Sequence, residues 1–135
     1  MVKDMIIKTM SFKVWQTLTI VGVPKAGISD FKVNICPDEK DIAMHINPRF
    51  DGYSPNNVVV CNSYQGGNWD EEVRGSSFPF EYEKEFMMII KFTPAEFQVT
   101  LPDGSKIHFP NRFGAGRYPV IKFEKDVCIS RVEIS

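Results

Sequence analysis

No stretch of the chain is long and apolar enough to cross a bilayer, and residues 1–8 lack the apolar core of a secretory leader. Synthesis in the cytosol is therefore expected, with no membrane insertion. The Asn-x-Ser/Thr acceptor for N-glycosylation does not occur. Cysteine is sparse: Cys36, Cys61 and Cys128 are odd in number and far apart, which fits reduced thiols better than a disulfide framework. Histidine is sparser still. His45 and His108 stand alone and no cysteine pair has ligand spacing, so no metal site is expected. Neither sign of charge dominates, with 16 Lys and Arg against 17 Asp and Glu for a net charge of −1. That balance argues against nucleic acid and anionic membrane as partners.

Catalytic pairs are missing too. A glycosidase needs two carboxylates facing a scissile bond at a separation of roughly 5–10 Å. Glu71 and Glu72 are adjacent, so on a strand they face opposite ways, and Asp70 falls in a turn. Cys61 alternates away from Asn62, which leaves no Cys–His nucleophile. No enzyme activity, catalytic residue or cofactor is expected.

What the chain has is short β-branched and aromatic runs punctuated by Gly, Pro, Asp and Asn. At 135 residues it makes one domain, 1–135, able to bury roughly two-thirds of its unfolded surface. Strands are expected at 11–12, 18–22, 31–36, 42–49, 57–63, 71–74, 86–92, 96–101, 106–109, 120–123 and 127–134. Helical periodicity never persists beyond about two turns. The run 86–92 also fits a buried helix segment, but Pro94 and its β-branched content favour a strand. The best hairpin joins 97–101 to 106–109 through Pro102-Asp103-Gly104, where Pro presets φ and Gly accepts a positive one. Many short strands without βαβ alternation predict an all-β, two-sheet antiparallel sandwich.

One cluster carries chemistry. In His45-Ile46-Asn47-Pro48-Arg49-Phe50 the residues His45, Asn47 and Arg49 leave the same strand face. Val60, Asn62, Trp69, Glu72 and Arg74 follow closely. The set offers donors and acceptors without a nucleophile, which suits a polyhydroxylated ligand. Trp69 follows Gly66-Gly67, a pair that permits a tight reversal and lifts the indole to a groove rim, where its rigid ring gives a sugar's C–H face an apolar plane. Arg49, Glu72 and Arg74 form a ladder in which guanidinium forks hold the carboxylate, so a Lys substitutes poorly.

These blocks, with Phe78-Pro79-Phe80, Leu101-Pro102-Asp103-Gly104 and Phe109-Pro110-Asn111-Arg112, resemble the galectin family in order and spacing from His45 to Arg112. The resemblance implies a jelly-roll carbohydrate-recognition domain that binds β-galactoside glycans on glycoproteins or glycolipids. By the same resemblance Trp69 stacks on galactose, His45, Asn47 and Arg49 bind the axial 4-hydroxyl, and Asn62 and Glu72 bind the 6-hydroxyl. An equatorial 4-hydroxyl would leave buried polar groups unpaired, at about 1–3 kcal/mol each. The family also implies action outside the cell, reached without a signal peptide, in addition to a cytoplasmic pool.

The match departs in the loop after Phe50. Tyr53 and Pro55 stand where many galectins carry a His and an Asp, which leaves Arg49 with fewer anchors and makes Tyr53 a candidate second-sugar contact. Val14-Trp15 replaces a common Pro-Gly turn. A homodimer is expected through the terminal strands, with Ile6, Val132 and Ile134 as a small apolar patch; the competing reading has Val132 and Ile134 finish the core. The alternative function is a galectin-fold protein that works through protein contacts with weak or no sugar binding.

Overall fold

The structure is a computed structural model that describes residues 4–124 and 126–135. Twelve strands occur among the described residues, all paired antiparallel: β1 (Met5–Lys13), β2 (Thr17–Pro24), β3 (Lys32–Cys36), β4 (Ile42–Arg49), β5 (Val58–Gln65), β6 (Asn68–Trp69), β7 (Val73–Arg74), β8 (Phe86–Phe92), β9 (Glu96–Thr100), β10 (Lys106–Pro110), β11 (Arg117–Glu124) and β12 (Val127–Ile134). A seven-stranded sheet runs β1-β11-β3-β4-β5-β6, with β7 also paired to β5. A five-stranded sheet runs β10-β9-β8-β2-β12. This is the two-sheet sandwich of jelly-roll type that the sequence predicts.

The core lies between the sheets and is largely aromatic. Phe12, Phe31, Phe92, Phe97, Phe109 and Tyr118 have no exposed surface. Ring contacts cross from sheet to sheet, as in Phe12 on β1 against Phe92 on β8 at 5.4 Å between centroids. The run 86–92 is strand β8, and its Phe86, Met88, Ile90 and Phe92 alternate inward. The β9–β10 hairpin turns where expected, with Gly104 at φ 86°.

Three differences have local causes. The expected strand at 71–74 shrinks to β7 at 73–74, and an unforeseen β6 forms ahead of it at 68–69, because the chain leaves the sheet between them and Asp70 N–H donates to Ser63 O. Strand β1 is longer than 11–12: residues 5–8 add onto β11 before a register shift between Lys8 and Phe12. Strand β11 starts at Arg117, and Pro119 sits at that shift, where its missing N–H breaks no ladder bond.

Candidate functional site

Register places the polar row. His45 pairs with Asn62, Asn47 with Val60, and Val60 with Arg74, so β4, β5 and β7 present one continuous face. That face floors a groove of about 390 Å³ lined by Lys32, His45, Asn47, Arg49, Tyr53, Val60, Asn62, Trp69, Asp70 and Glu72. Arg74 does not line it but holds Glu72. Every sugar-binding residue expected from the sequence is thus at this groove or directly supports it.

Trp69 forms the standing wall. Gly66 and Gly67, at φ 59° and 86°, close the two-residue turn that pairs Tyr64 with Trp69. The indole is 51% exposed, an unusual state for so large an apolar ring unless something covers it. His45 and Tyr64 brace it at centroid distances of 4.8 and 4.9 Å.

His45 is 8% exposed, and its Nδ1 lies 2.6 Å from Asn34 Oδ1. Burial first, then the Lys32 and Arg49 charges, push its pKa from 6.5 down to about 4. The ring is therefore neutral at physiological pH and keeps one lone pair.

Asn47 donates from Nδ2 to Asp30 Oδ2 at 2.8 Å and to Phe31 O at 2.9 Å. Its Oδ1 accepts from Arg49 Nε at 2.9 Å. Both amide protons are spent on the scaffold, so towards a ligand Asn47 offers acceptor capacity only. Burial pushes the Asp30 carboxyl up, yet hydrogen bonds from Asn47, Ser29 and Tyr53 outweigh it and hold the pKa below the usual value.

Tyr53 explains how the loop works without the family's usual carboxylate. Its hydroxyl donates to Asp30 Oδ2 at 3.0 Å, and its ring lies 4.5 Å from the Arg49 guanidinium carbon. Among the described residues no carboxylate hydrogen-bonds Arg49 directly, and Glu72 stands 3.8 Å away. Asp30, which the sequence reading passed over, holds the Asn47 amide whose oxygen accepts from Arg49 Nε, and Tyr53 adds a cation–π face.

The ladder is unequal. Arg74 Nη2 donates to Glu72 Oε1 at 2.9 Å, whereas Arg49 Nη2 stands 3.8 Å from Glu72 Oε2. Glu72 is held from the rim and leaves one oxygen near the groove. Asn62 donates to Asp70 O at 2.8 Å, and its Oδ1 accepts from Arg112 Nη1 at 3.2 Å. One Asn62 amide proton remains for a ligand. Arg112 also donates to Ser63 Oγ and Glu71 O and stacks on Phe109 at 4.7 Å. The sequence carried Arg112 as part of a motif without a role; only the fold brings it beneath Asn62.

The terminal patch does not form. Val132 and Ile134 pair with the buried Ile20 and Leu18, face inward and pack against the core. Ile6 is 50% exposed and pairs with Lys122 on the other sheet. The three do not share a surface, because strand parity sends the first two inside.

Among the described residues no group of His, Cys, Asp or Glu is placed to hold a metal ion. An open polar groove with one exposed aromatic wall on a jelly-roll sandwich defines a carbohydrate-binding module. The family model for galactoside-binding lectins matches residues 4–134, and the chain belongs to that family. It is 46% identical over 125 residues to a beta-galactoside-binding lectin of Electrophorus electricus, covering 93% of this chain and 92% of the relative. The crystal structure of the "Dario rerio" galectin-1-L2 superposes with a TM-score of 0.93 at 53% identity, covering 96% of this chain and 98% of that one. CG-16, a homodimeric agglutinin from chicken liver, superposes with a TM-score of 0.91 at 29% identity, covering 98% and 100%.

Proposed function

We propose that this protein is a β-galactoside-binding lectin that takes lactose- or N-acetyllactosamine-type glycans and, as a homodimer, bridges glycoconjugates. The observation that carries it is the groove itself: neutral His45 beside Arg49, facing an exposed Trp69. A hydroxyl between the two gives its proton to the His45 lone pair and accepts from the Arg49 fork. Only an axial 4-hydroxyl stands over that pair while the sugar's C–H face lies on Trp69. Asn62 and Glu72 then meet the 6-hydroxyl, as a donor and an acceptor.

An open site of this size supports roughly −4 to −7 kcal/mol, or about millimolar to ten micromolar. Such affinity becomes useful through two grooves on one particle. The similarity to a homodimeric agglutinin supports pairing, as does the placement of β1 and β12 as the outermost strands of their sheets, each with an open ladder. Binding, without covalent chemistry, is the whole of the proposed action. Function outside the cell, besides a cytoplasmic pool, suits two of its three thiols: burial raises Cys36 and Cys61 to about 12, which keeps both unreactive, while Cys128 is only half-buried.

The test is a calorimetric titration with lactose, with sucrose as control. Saturable lactose heat with none from sucrose is expected. Folded protein that gives no lactose heat would overturn the reading in favour of a role through protein contacts.

A further inference from the structure

Two residues outside the sugar-binding motif stand in line behind His45. Asn34 on β3 is 1% exposed and pairs in register with both His45 on β4 and Lys122 on β11. Its Nδ2 donates to Glu124 Oε2 on β11 at 2.8 Å, and its Oδ1 meets His45 Nδ1 at 2.6 Å. A carboxylate only accepts, so Glu124 requires the NH₂ side of the Asn34 amide to face it. The amide oxygen must then face His45. An amide oxygen only accepts, so the ring proton is on Nδ1 and the lone pair is on Nε2.

We propose that Glu124 and Asn34 are positioning residues that fix the His45 tautomer, and through it make the groove specific for a hydroxyl that donates. The inference rests on the galactoside reading of the groove. It deepens that reading by naming what distinguishes a 4-hydroxyl from any other small axial substituent.

The logic repeats one strand pairing away. Asp30 orients the Asn47 amide by accepting from Nδ2, and the Asn47 oxygen then takes the Arg49 Nε proton. Both relays run carboxylate, amide, ligand-binding side chain. Their outputs are opposite: His45 is left with a lone pair and Arg49 with free N–H groups. A hydroxyl satisfies both at once, because it gives one proton and accepts another. A fluorine at the same position accepts from Arg49 but faces the His45 lone pair with its own.

Without Glu124 the amide is free to turn. With NH₂ towards the ring, Nδ1 becomes the acceptor and Nε2 carries the proton into the groove. The hydroxyl then loses its acceptor and the fluorine gains a donor. Glu124 does not line the groove and is only partly buried, so Glu124→Ala leaves the core untouched.

The experiment combines ¹⁵N NMR of the His45 ring with titrations of lactose and its 4′-deoxy-4′-fluoro analogue. Wild-type protein is expected to show the Nδ1–H tautomer and to prefer lactose. Glu124→Ala should show a mixed or Nε2–H ring, with lactose weakened by up to about tenfold, the scale of one hydrogen bond. The analogue should hold or gain affinity, so the preference shrinks. In Asn34→Asp with Glu124→Ala, a carboxylate accepts from Nδ1–H whichever way it turns, and both tautomer and preference should return. A wild-type ring protonated on Nε2 overturns the proposal without any variant. An unchanged tautomer and preference in folded Glu124→Ala overturns the role of Glu124. Absence of lactose binding in wild type defeats the galactoside reading instead.

Discussion

At the scale of single residues, burial and partners decide what each side chain offers a ligand. Trp69 packs on His45 and Tyr64 but leaves half its surface free, so its removal costs the fold little and the ligand its most exposed apolar plane in the groove. Trp69→Ala should abolish measurable lactose heat while the circular dichroism and melting temperature stay near wild type. Retained affinity would remove the stacking role. Arg49 has its Nε committed to Asn47 and its face to Tyr53, leaving the fork for Glu72 and ligand. Arg49→Lys keeps the charge but not the fork, and a loss of tenfold or more in lactose affinity is expected by calorimetry.

His45 gives a pH prediction at the same scale. Its folded pKa of about 4 lies below the ordinary 6.5, so the unfolded chain binds a proton that the folded chain refuses between those values. Stability therefore falls as pH drops from about 6.5 to about 4, by on the order of 3 kcal/mol from this group. Below that window its contribution stays constant. The lone pair survives through the same window, so lactose affinity should hold to about pH 5 and fail near 4. A midpoint near 6.5 in titrations across pH would show an ordinary, solvated imidazole.

At the scale of elements, two turns show how much backbone the sequence reveals. Gly66-Gly67 was legible as a tight reversal because only glycine takes positive φ freely, and the turn closes as expected between β5 and β6. The β1–β2 turn was legible only through the resemblance, which sets Val14-Trp15 where relatives carry Pro-Gly, and its backbone conformation was not. Trp15 adopts φ 71°, the left-handed region, and is 67% exposed. A bulky residue there carries strain that its sequence neighbours do not announce, held by Trp15 N–H on Phe92 O and Val14 N–H on Gly116 O. Trp15→Asn should raise stability by up to about 1–2 kcal/mol, since Asn tolerates that conformation better. Thermal unfolding would read this as a higher melting temperature with unchanged lactose binding.

At the scale of the whole molecule, function depends on whether two grooves travel together. The apolar patch expected from the terminal strands is divided between interior and surface, so the proposed pairing rests on the open edges of β1 and β12. Ile6 is an exposed apolar residue on the β1 edge. Ile6→Lys should shift the protein towards monomer in sedimentation and weaken agglutination, with lactose affinity per site unchanged. A monomeric wild type at working concentrations would remove bridging and leave sugar binding in place.

The sequence by itself determined the sandwich, most strand positions and a set of polar and aromatic residues of which His45, Asn47, Arg49, Tyr53, Asn62, Trp69 and Glu72 line the groove, while Lys32 and Asp70 were not foreseen. Alternation, turn residues and motif spacing are local, and a strand's period of two converts spacing into a shared face. Only the tertiary structure decided what stands behind that face. Asp30, Asn34, Arg112 and Glu124 come from other strands and loops, and antiparallel register alone brings them to Asn47, His45 and Asn62. Strand parity against the buried Leu18 and Ile20 likewise turned Val132 and Ile134 inward. Such contacts link residues far apart in the chain, and no local period encodes them.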